Sequence, residues 1–131
     1  MDGLELFFNK SKKELPLIIT FGGHKALGPA GPSVTPFEFK KSLVSIYGTE
    51  INYIFIRDIE KSWYFQGISG LSKNLEENIK GLKGIIGDLK ISKSIVMGSS
   101  SGGFASILYG ALLNLDKVIA FGPQTFISNK K

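Results

Sequence analysis

The sequence predicts an α/β protein in which helices cover both faces of a mostly parallel sheet of four to five strands, giving three layers. Two observations predict this fold class: short apolar runs rich in β-branched residues recur along the chain, and helical patterns fill the intervals between them. The runs are nearly continuous rather than alternating, which is typical of strands buried on both faces of a parallel sheet. At 131 residues, the chain is expected to form a single domain over residues 1–131.

Four apolar runs are predicted to form the parallel strands, and a weaker stretch is expected to add an edge strand. Because strands and helices alternate, the strands are expected to be joined by right-handed crossovers. The four runs are Leu15–Gly22, Ile51–Asp58, Ser94–Gly98 and Val118–Gly122, and the weaker stretch is Leu4–Phe8.

The first helix is predicted to begin in the segment Thr35–Glu38. This segment offers a capping threonine, a proline suited to the first helical position and a glutamate that can complete a capping box. Apolar residues follow at helical spacing, and Gly48 is expected to end the helix. The apolar positions are Phe39, Leu43 and Ile46.

Two further helices are predicted in the second half of the chain. One begins near Asn74, with Glu77 placed to complete a capping box, and the other covers Phe104–Leu115. The apolar stripe of the former is Leu75, Ile79, Leu82, Ile85, Ile86 and Leu89. The buried side of the latter is expected to hold Phe104, Ile107, Leu108, Ala111, Leu112 and Leu115.

The turn Gly98–Gly103 carries the strongest functional signal in the chain. It links a predicted strand to a predicted helix and reads G-x-S-x-G with Ser100 at its centre, which is the signature of a nucleophile elbow. Residues flanking the central one must be nearly free of side chains in so tight a turn, and Gly98 and Gly102 meet that need. The alternative is a turn rich in serine and glycine that performs no chemistry.

On this motif and the order of the elements, the segment Leu15–Phe126 resembles the α/β-hydrolase fold family. The resemblance implies an α/β-hydrolase-like core and a nucleophilic Ser100 that acts on an ester or other acyl bond. It also implies an oxyanion hole made by the backbone N–H of Ser101 and one from the loop after the Leu15 strand, at Gly22 or Gly23.

The same resemblance marks a departure from the family pattern. In the family, the triad acid usually follows the seventh strand, or sometimes the sixth, and the histidine follows the eighth, whereas this chain stops just after the sixth. The one histidine, His24, stands in the wrong order; it is a candidate general base or a loop histidine that shapes the glycine turn. We therefore expect a partial domain, a degenerate member or an unusual base.

Four residues at the same sheet edge are candidates for contact with substrate. Asp58 is suited to orienting a base or binding a polar substrate, or to pairing with Arg57 at the end of the strand. Trp63 and Tyr64 are suited to lining a sugar or acyl pocket, or to covering the sheet edge. Gln124 is a weaker candidate for the cleft.

A looser likeness connects the chain with bacterial α/β-hydrolase-like proteins of surface-glycan pathways. It rests on GSSSGGFASILYG, residues Gly98–Gly110, and on IAFGPQTF, residues Ile119–Phe126. The substrate that it implies is a small acyl compound or a glycan ester.

Composition argues against several other classes. The net charge is +5, but the lysines are scattered and Arg57 is the only arginine, so no nucleic-acid partner is expected. The chain has no cysteine, one histidine and no clustered carboxylates, so neither a metal nor another cofactor is expected. No apolar run approaches the roughly 18 residues of a membrane span, and no signal peptide is evident, so a cytoplasmic location without membrane contact is expected.

A second function class stays open at this point. Without a triad acid and base, the chain is also consistent with a non-catalytic binding module derived from a hydrolase. The Val118 strand is then expected to be an exposed edge that pairs with a partner or with a second copy of the chain. Asp116, just before that strand, is expected to be a turn residue.

Overall fold

The chain alternates strands and helices in a computed structural model that describes residues 3–8, 14–23, 37, 39–57, 68 and 73–123. The elements in chain order are β1 (Leu4–Phe7), β2 (Leu15–Phe21), α1 (Lys40–Tyr47), β3 (Asn52–Ile56), α2 (Leu75–Gly87), β4 (Ile91–Ser99), α3 (Ser101–Leu112) and β5 (Lys117–Phe121). The helices have 8, 13 and 12 residues, and within the described ranges no helix is long and apolar enough to cross a bilayer.

The strands form one sheet in the order β1-β3-β2-β4-β5. Neighbouring strands are parallel, except that β1 runs antiparallel to β3. This confirms the predicted α/β class, and all five predicted strands are present. Because β2 has β3 on one side and β4 on the other, the chain reverses its winding direction there. The carboxyl ends of β2 and β4 therefore meet at the crevice where open α/β sheets bind ligands.

Helices cover both faces of the sheet. On β2, Ile18 belongs to a core that includes Leu43 of α1, whereas its neighbours Leu17 and Ile19 belong to a core that includes Leu82 of α2. The alternation places α1 on one face and α2 with α3 on the other, as the three-layer prediction requires.

The start of α2 agrees with the sequence prediction. The Asn74 side chain accepts a hydrogen bond of 2.8 Å from the Glu77 N–H, and the Glu77 carboxylate accepts one of 3.0 Å from the Lys73 N–H. The predicted apolar stripe of this helix faces the core, with Leu82 fully buried and the other five residues packed around it.

Helix α1 begins later than the sequence predicts, and its predicted apolar face is partly wrong. Phe39 has a φ of 69°, so it lies outside the helix, and its ring packs on Phe121 with 5.8 Å between ring centroids. Leu43 is buried as expected, but Ile46 is 71% exposed. Gly48 ends the helix as predicted, donating its N–H to the Val44 carbonyl at 2.9 Å. Of the predicted start, residues 35, 36 and 38 lie outside the described residues.

The predicted buried side of α3 is also wrong in part, since Ile107 and Leu112 are 45% and 44% exposed. Small residues face the sheet instead, because they allow the helix backbone to approach the strands closely. A Cβ at Gly110 would lie 2.5 Å from a methyl carbon of Val118 and 3.2 Å from one of Val96. All of the buried residues of α3 except Tyr109 are small: Ser101, Gly102, Gly103, Ala105, Ser106, Tyr109 and Gly110.

Candidate active site

Ser100 occupies the junction between the sheet and α3 in a conformation that side chains rarely adopt. It follows the last residue of β4 and precedes the first residue of α3, with φ 54° and ψ −120°. Such backbone strain costs about 1–3 kcal/mol per residue and occurs preferentially at functional sites. The residue is exposed, as a nucleophile at the carboxyl edge of a sheet has to be.

Backbone hydrogen bonds fix the Ser100 junction on both sides. The Ser100 N–H donates to the Phe121 carbonyl of β5 at 3.0 Å, and the Ser100 carbonyl accepts the Phe104 N–H at 3.0 Å. The first bond extends the β4–β5 pairing, and the second starts the hydrogen bonding of α3. The strained peptide is therefore held by the sheet and the helix together.

Two glycines bring the junction against the end of β2. A Cβ at Gly98 would lie 2.7 Å from the Phe21 carbonyl oxygen and would collide with the Gly102 backbone. A Cβ at Gly102 would collide with the Phe21 carbonyl and would lie 2.9 Å from the Gly22 carbonyl carbon. Real Cβ atoms do not approach backbone atoms so closely, so these positions require glycine. The turn after β2 consequently lies directly beside the start of α3.

Gly22 and Gly23 form that turn, and both are buried. The Gly22 N–H donates to the Ile56 carbonyl at 3.0 Å, which continues the pairing of β2 with β3. The Gly22 N–H is therefore engaged within the sheet.

Ser101 is the first residue of α3 and is 1% exposed. The first N–H groups of a helix have no acceptor within the helix, and the helix dipole favours negative charge near them. The Ser101 N–H therefore lies where an oxyanion donor next to the nucleophile is expected.

The other predicted site residues lie outside the described residues, and the structure does not test them. They are His24, Asp58, Trp63, Tyr64 and Gln124.

Asp116 lies at the opposite end of the strands from Ser100 and serves the fold. Its carboxylate accepts hydrogen bonds from the Ser94 N–H at 2.7 Å and the Ser94 hydroxyl at 3.0 Å, and its own N–H donates to that hydroxyl at 3.0 Å. The backbone bond from Ser94, and then the hydroxyl bond, hold the pKa of Asp116 below its ordinary value. The expectation of a turn residue is confirmed.

Sequence reasoning missed two buried polar side chains behind the glycine turn, Asn78 and Tyr109. Both are fully buried, and the Asn78 amide donates to the Tyr109 hydroxyl at 2.9 Å. One signal was available: Asn78 interrupts the apolar stripe of α2 between Leu75 and Leu82.

An open hollow of about 530 Å³ lies elsewhere, over the start of α1. It does not include Ser100 or the glycine turn, so we do not assign it to this site. Its lining residues are Phe37, Lys40, Lys41, Val44 and Ser45.

The fold that carries this junction is found in enzymes of acyl chemistry. The chain is similar to the capsule O-acetyltransferase of Neisseria meningitidis serogroup A, with a TM-score of 0.62 and 20% identity over 95% of this chain and 49% of that one. A structure of the same enzyme with caged gadolinium gives a TM-score of 0.63 and 19% identity over 95% and 50% of the two chains. Brefeldin A esterase, a bacterial homologue of human hormone-sensitive lipase, gives 0.54 and 18% over 92% and 35%.

These similarities confirm the predicted fold class with an α/β-hydrolase among the neighbours, and at such identities they show the fold alone. The chain spans about half the length of the O-acetyltransferase, at 49%. No protein-family model and no curated protein matches the sequence.

Proposed function

We propose that this chain carries the nucleophile and oxyanion hole of a serine-dependent acyl-transfer or ester-cleaving domain. The observation that carries the proposal is Ser100, exposed and strained between β4 and α3, with its flanking glycines pressed against the turn after β2. A serine kept only to fit a turn would not need a conformation that glycine adopts at lower cost.

In the proposed reaction, Ser100 is the nucleophile and two backbone N–H groups hold the oxyanion. Its Oγ bonds to the acyl carbonyl carbon while its proton passes to a general base, and the carbonyl oxygen becomes an oxyanion held by the N–H groups of Ser101 and Gly23. The carbonyl then re-forms, the bond to the leaving group breaks, and the leaving group takes the proton. An acceptor hydroxyl, or water, next attacks the acyl-serine, gives its proton to the base, and releases Ser100 with a proton restored.

For the substrate class, we propose an acetyl or similar acyl ester whose acceptor is a carbohydrate hydroxyl. Two of the neighbouring structures are of one capsule O-acetyltransferase, and the third is of an esterase. The likeness of Gly98–Gly110 to proteins of surface-glycan pathways points in the same direction.

We propose that the triad acid and base belong to a longer protein of which this chain is a part. In support, the chain spans 49% of the O-acetyltransferase, and its single histidine, His24, stands before the nucleophile rather than after it. A reading frame that continues past the codon for Lys131 into an Asp and a His supports this proposal. A stop codon there contradicts it and leaves His24 as the candidate base.

Covalent labelling tests the nucleophile directly. In the longer protein that supplies the triad base, or in this chain if a stop codon follows Lys131 and His24 is the base, a fluorophosphonate probe should label Ser100. Its Oγ displaces fluoride from phosphorus, and Ser100→Ala should abolish the labelling. Ser99→Ala is a matched control because it removes the neighbouring hydroxyl, and it should leave the labelling intact. Absence of labelling in that folded wild-type protein, with its base present, or labelling that persists in Ser100→Ala, contradicts the proposed function.

A non-catalytic interaction module is the second candidate, and the exposed edge of the sheet favours it. Strand β5 pairs with β4 alone among the described strands, and its Val118 and Phe121 are 39% and 49% exposed. An unprotected apolar edge strand is a template for pairing with another strand. Under this candidate, two copies join through β5, and light scattering after size exclusion should give twice the monomer mass. A monomer at high concentration argues against it.

A further inference from the structure

A buried chain of hydrogen bonds connects three parts of the molecule behind the glycine turn. The Ile68 N–H donates to the Asn78 side-chain oxygen at 3.0 Å, and the Asn78 side-chain nitrogen donates to the Tyr109 hydroxyl at 2.9 Å. Asn78 and Tyr109 are fully buried, and Ile68 is 2% exposed. Asn78 lies on α2 and Tyr109 on α3, so the bonds tie both helices to the connection that precedes α2.

The amide at position 78 constrains the two helices more than an apolar side chain would. Its neighbours on the core face of α2 are apolar, and a leucine there would pack against α3 in several arrangements. Hydrogen bonds are directional, and a buried polar group left without its partner is costly, so Asn78 favours one rotation and height of α2 against α3.

Tyr109 carries this constraint to the proposed oxyanion hole. Its ring lies against the Phe21 ring, with 4.7 Å between centroids. Phe21 is the last residue of β2 and directly precedes Gly22, and its carbonyl fills the space beside Gly98 and Gly102. Tyr109 also belongs to the helix that begins at Ser101. One side chain therefore contacts the strand that leads into the turn while lying on the helix that supplies the other donor.

We propose that Asn78 and Tyr109 are positioning residues. Through the Tyr109 hydroxyl, they fix the position of the Phe21–Gly23 turn relative to the start of α3. The inference rests on the proposed acyl chemistry, because it states how the two oxyanion donors keep their separation. A shift of a few tenths of an ångström between such donors weakens their hold on a developing charge.

Tyr109→Phe is the sharpest test, since it removes the hydroxyl and keeps the ring on Phe21. It should lower the rate constant for fluorophosphonate labelling of Ser100 about tenfold. It should also speed amide hydrogen exchange in the peptide that covers residues 21–23. Asn78→Ala, which removes the other partner of the same bond, should have both effects.

Tyr53→Phe is the matched control. Tyr53 is also fully buried, and its hydroxyl donates to the Gly48 carbonyl at 2.9 Å and the Leu43 carbonyl at 3.3 Å, on the α1 side of the sheet. Tyr53→Phe removes a buried, hydrogen-bonded tyrosine hydroxyl, as Tyr109→Phe does, but on the side of the sheet away from Tyr109. It should therefore lower the melting temperature as Tyr109→Phe does, while labelling and exchange at residues 21–23 stay at wild-type values.

The two readouts separate this inference from the proposed function. Wild-type labelling in Tyr109→Phe, or equal slowing in Tyr53→Phe, overturns the positioning role. If the wild-type protein that contains the base is not labelled, the proposed function fails and hydrogen exchange decides the inference. Faster exchange at residues 21–23 in Tyr109→Phe alone then supports positioning, and unchanged exchange overturns it.

Discussion

Ser100 combines an exposed hydroxyl with a backbone that would suit glycine better. Its φ of 54° and ψ of −120° place it where a Cβ meets the neighbouring peptide groups. The hydrogen bonds of Ser100 to Phe121 of β5 and to Phe104 of α3 hold the residue in this strained conformation. The proposed function therefore needs a serine side chain at a position where glycine would make the fold more stable.

We expect Ser100→Gly to stabilise the fold while it removes the proposed nucleophile. Relief of the strain is worth about 1–3 kcal/mol, and the extra chain entropy of glycine offsets about 0.5–1 kcal/mol of that. The free energy of unfolding, measured in urea, should therefore rise by about 1 kcal/mol, and labelling should disappear. Ser100→Ala keeps the strain and serves as the control. Equal stability of the two variants would show that the backbone is not strained.

At the scale of elements, α2 is weak in helix propensity and depends on its contacts. It holds three glycines, at positions 81, 84 and 87, within 13 residues. A Cβ at Gly84 would have nothing within 4 Å. Gly84→Ala should therefore raise the free energy of unfolding by about 1 kcal/mol, because alanine loses less entropy in a helix. Urea denaturation measures the change.

Gly102→Ala in α3 is the opposite case, since its Cβ would run into the Phe21 carbonyl. It should destabilise by about 3 kcal/mol or more and slow the labelling of Ser100. A Gly102→Ala variant as stable as wild type would contradict the close packing of α3 on β2. Gly84→Ala is the control, because its added methyl group contacts nothing.

The strands were predictable from the sequence, but the start of α1 and the buried side of α3 were not. Continuous apolar runs indicate buried strands wherever the partners lie. The conformation of Phe39, in contrast, is accompanied by a contact with Phe121, which is distant in sequence. On α3, apolar spacing indicates the most hydrophobic side, but the sheet is met by the side that can approach it most closely, through Gly102 and Gly110.

At the scale of the whole molecule, some features of the candidate site follow from local sequence, whereas others depend on contacts between distant residues. The position of Ser100 in a tight junction between β4 and α3 was predictable, because such a junction restricts the flanking residues to glycine and that restriction is local in sequence. The pairing of Asn78 with Tyr109 joins residues of different helices, and no local pattern specifies it. The engagement of the Gly22 N–H with Ile56 likewise depends on the register between β2 and β3.

The acid stability of the whole molecule should depend in part on Asp116, which joins the amino ends of β4 and β5. Hydrogen bonds from Ser94 favour its ionised form and lower its pKa in the folded state. A lowered pKa contributes stability that is complete above the ordinary pKa of an aspartate. This contribution is lost as the pH falls through the lower folded value, where the carboxyl takes up its proton.

Asp116→Asn should therefore be less stable than wild type near neutral pH, and the difference should shrink in acid. Urea unfolding of both proteins at pH 6 and at successively lower pH values, down to about 2.5, measures it. Ser94→Ala removes the hydroxyl but keeps the backbone N–H, which is the larger cause of the shift, so it should retain most of the pH dependence. A difference between wild type and Asp116→Asn that stays constant with pH would mean that the carboxylate charge contributes nothing to joining these two strands.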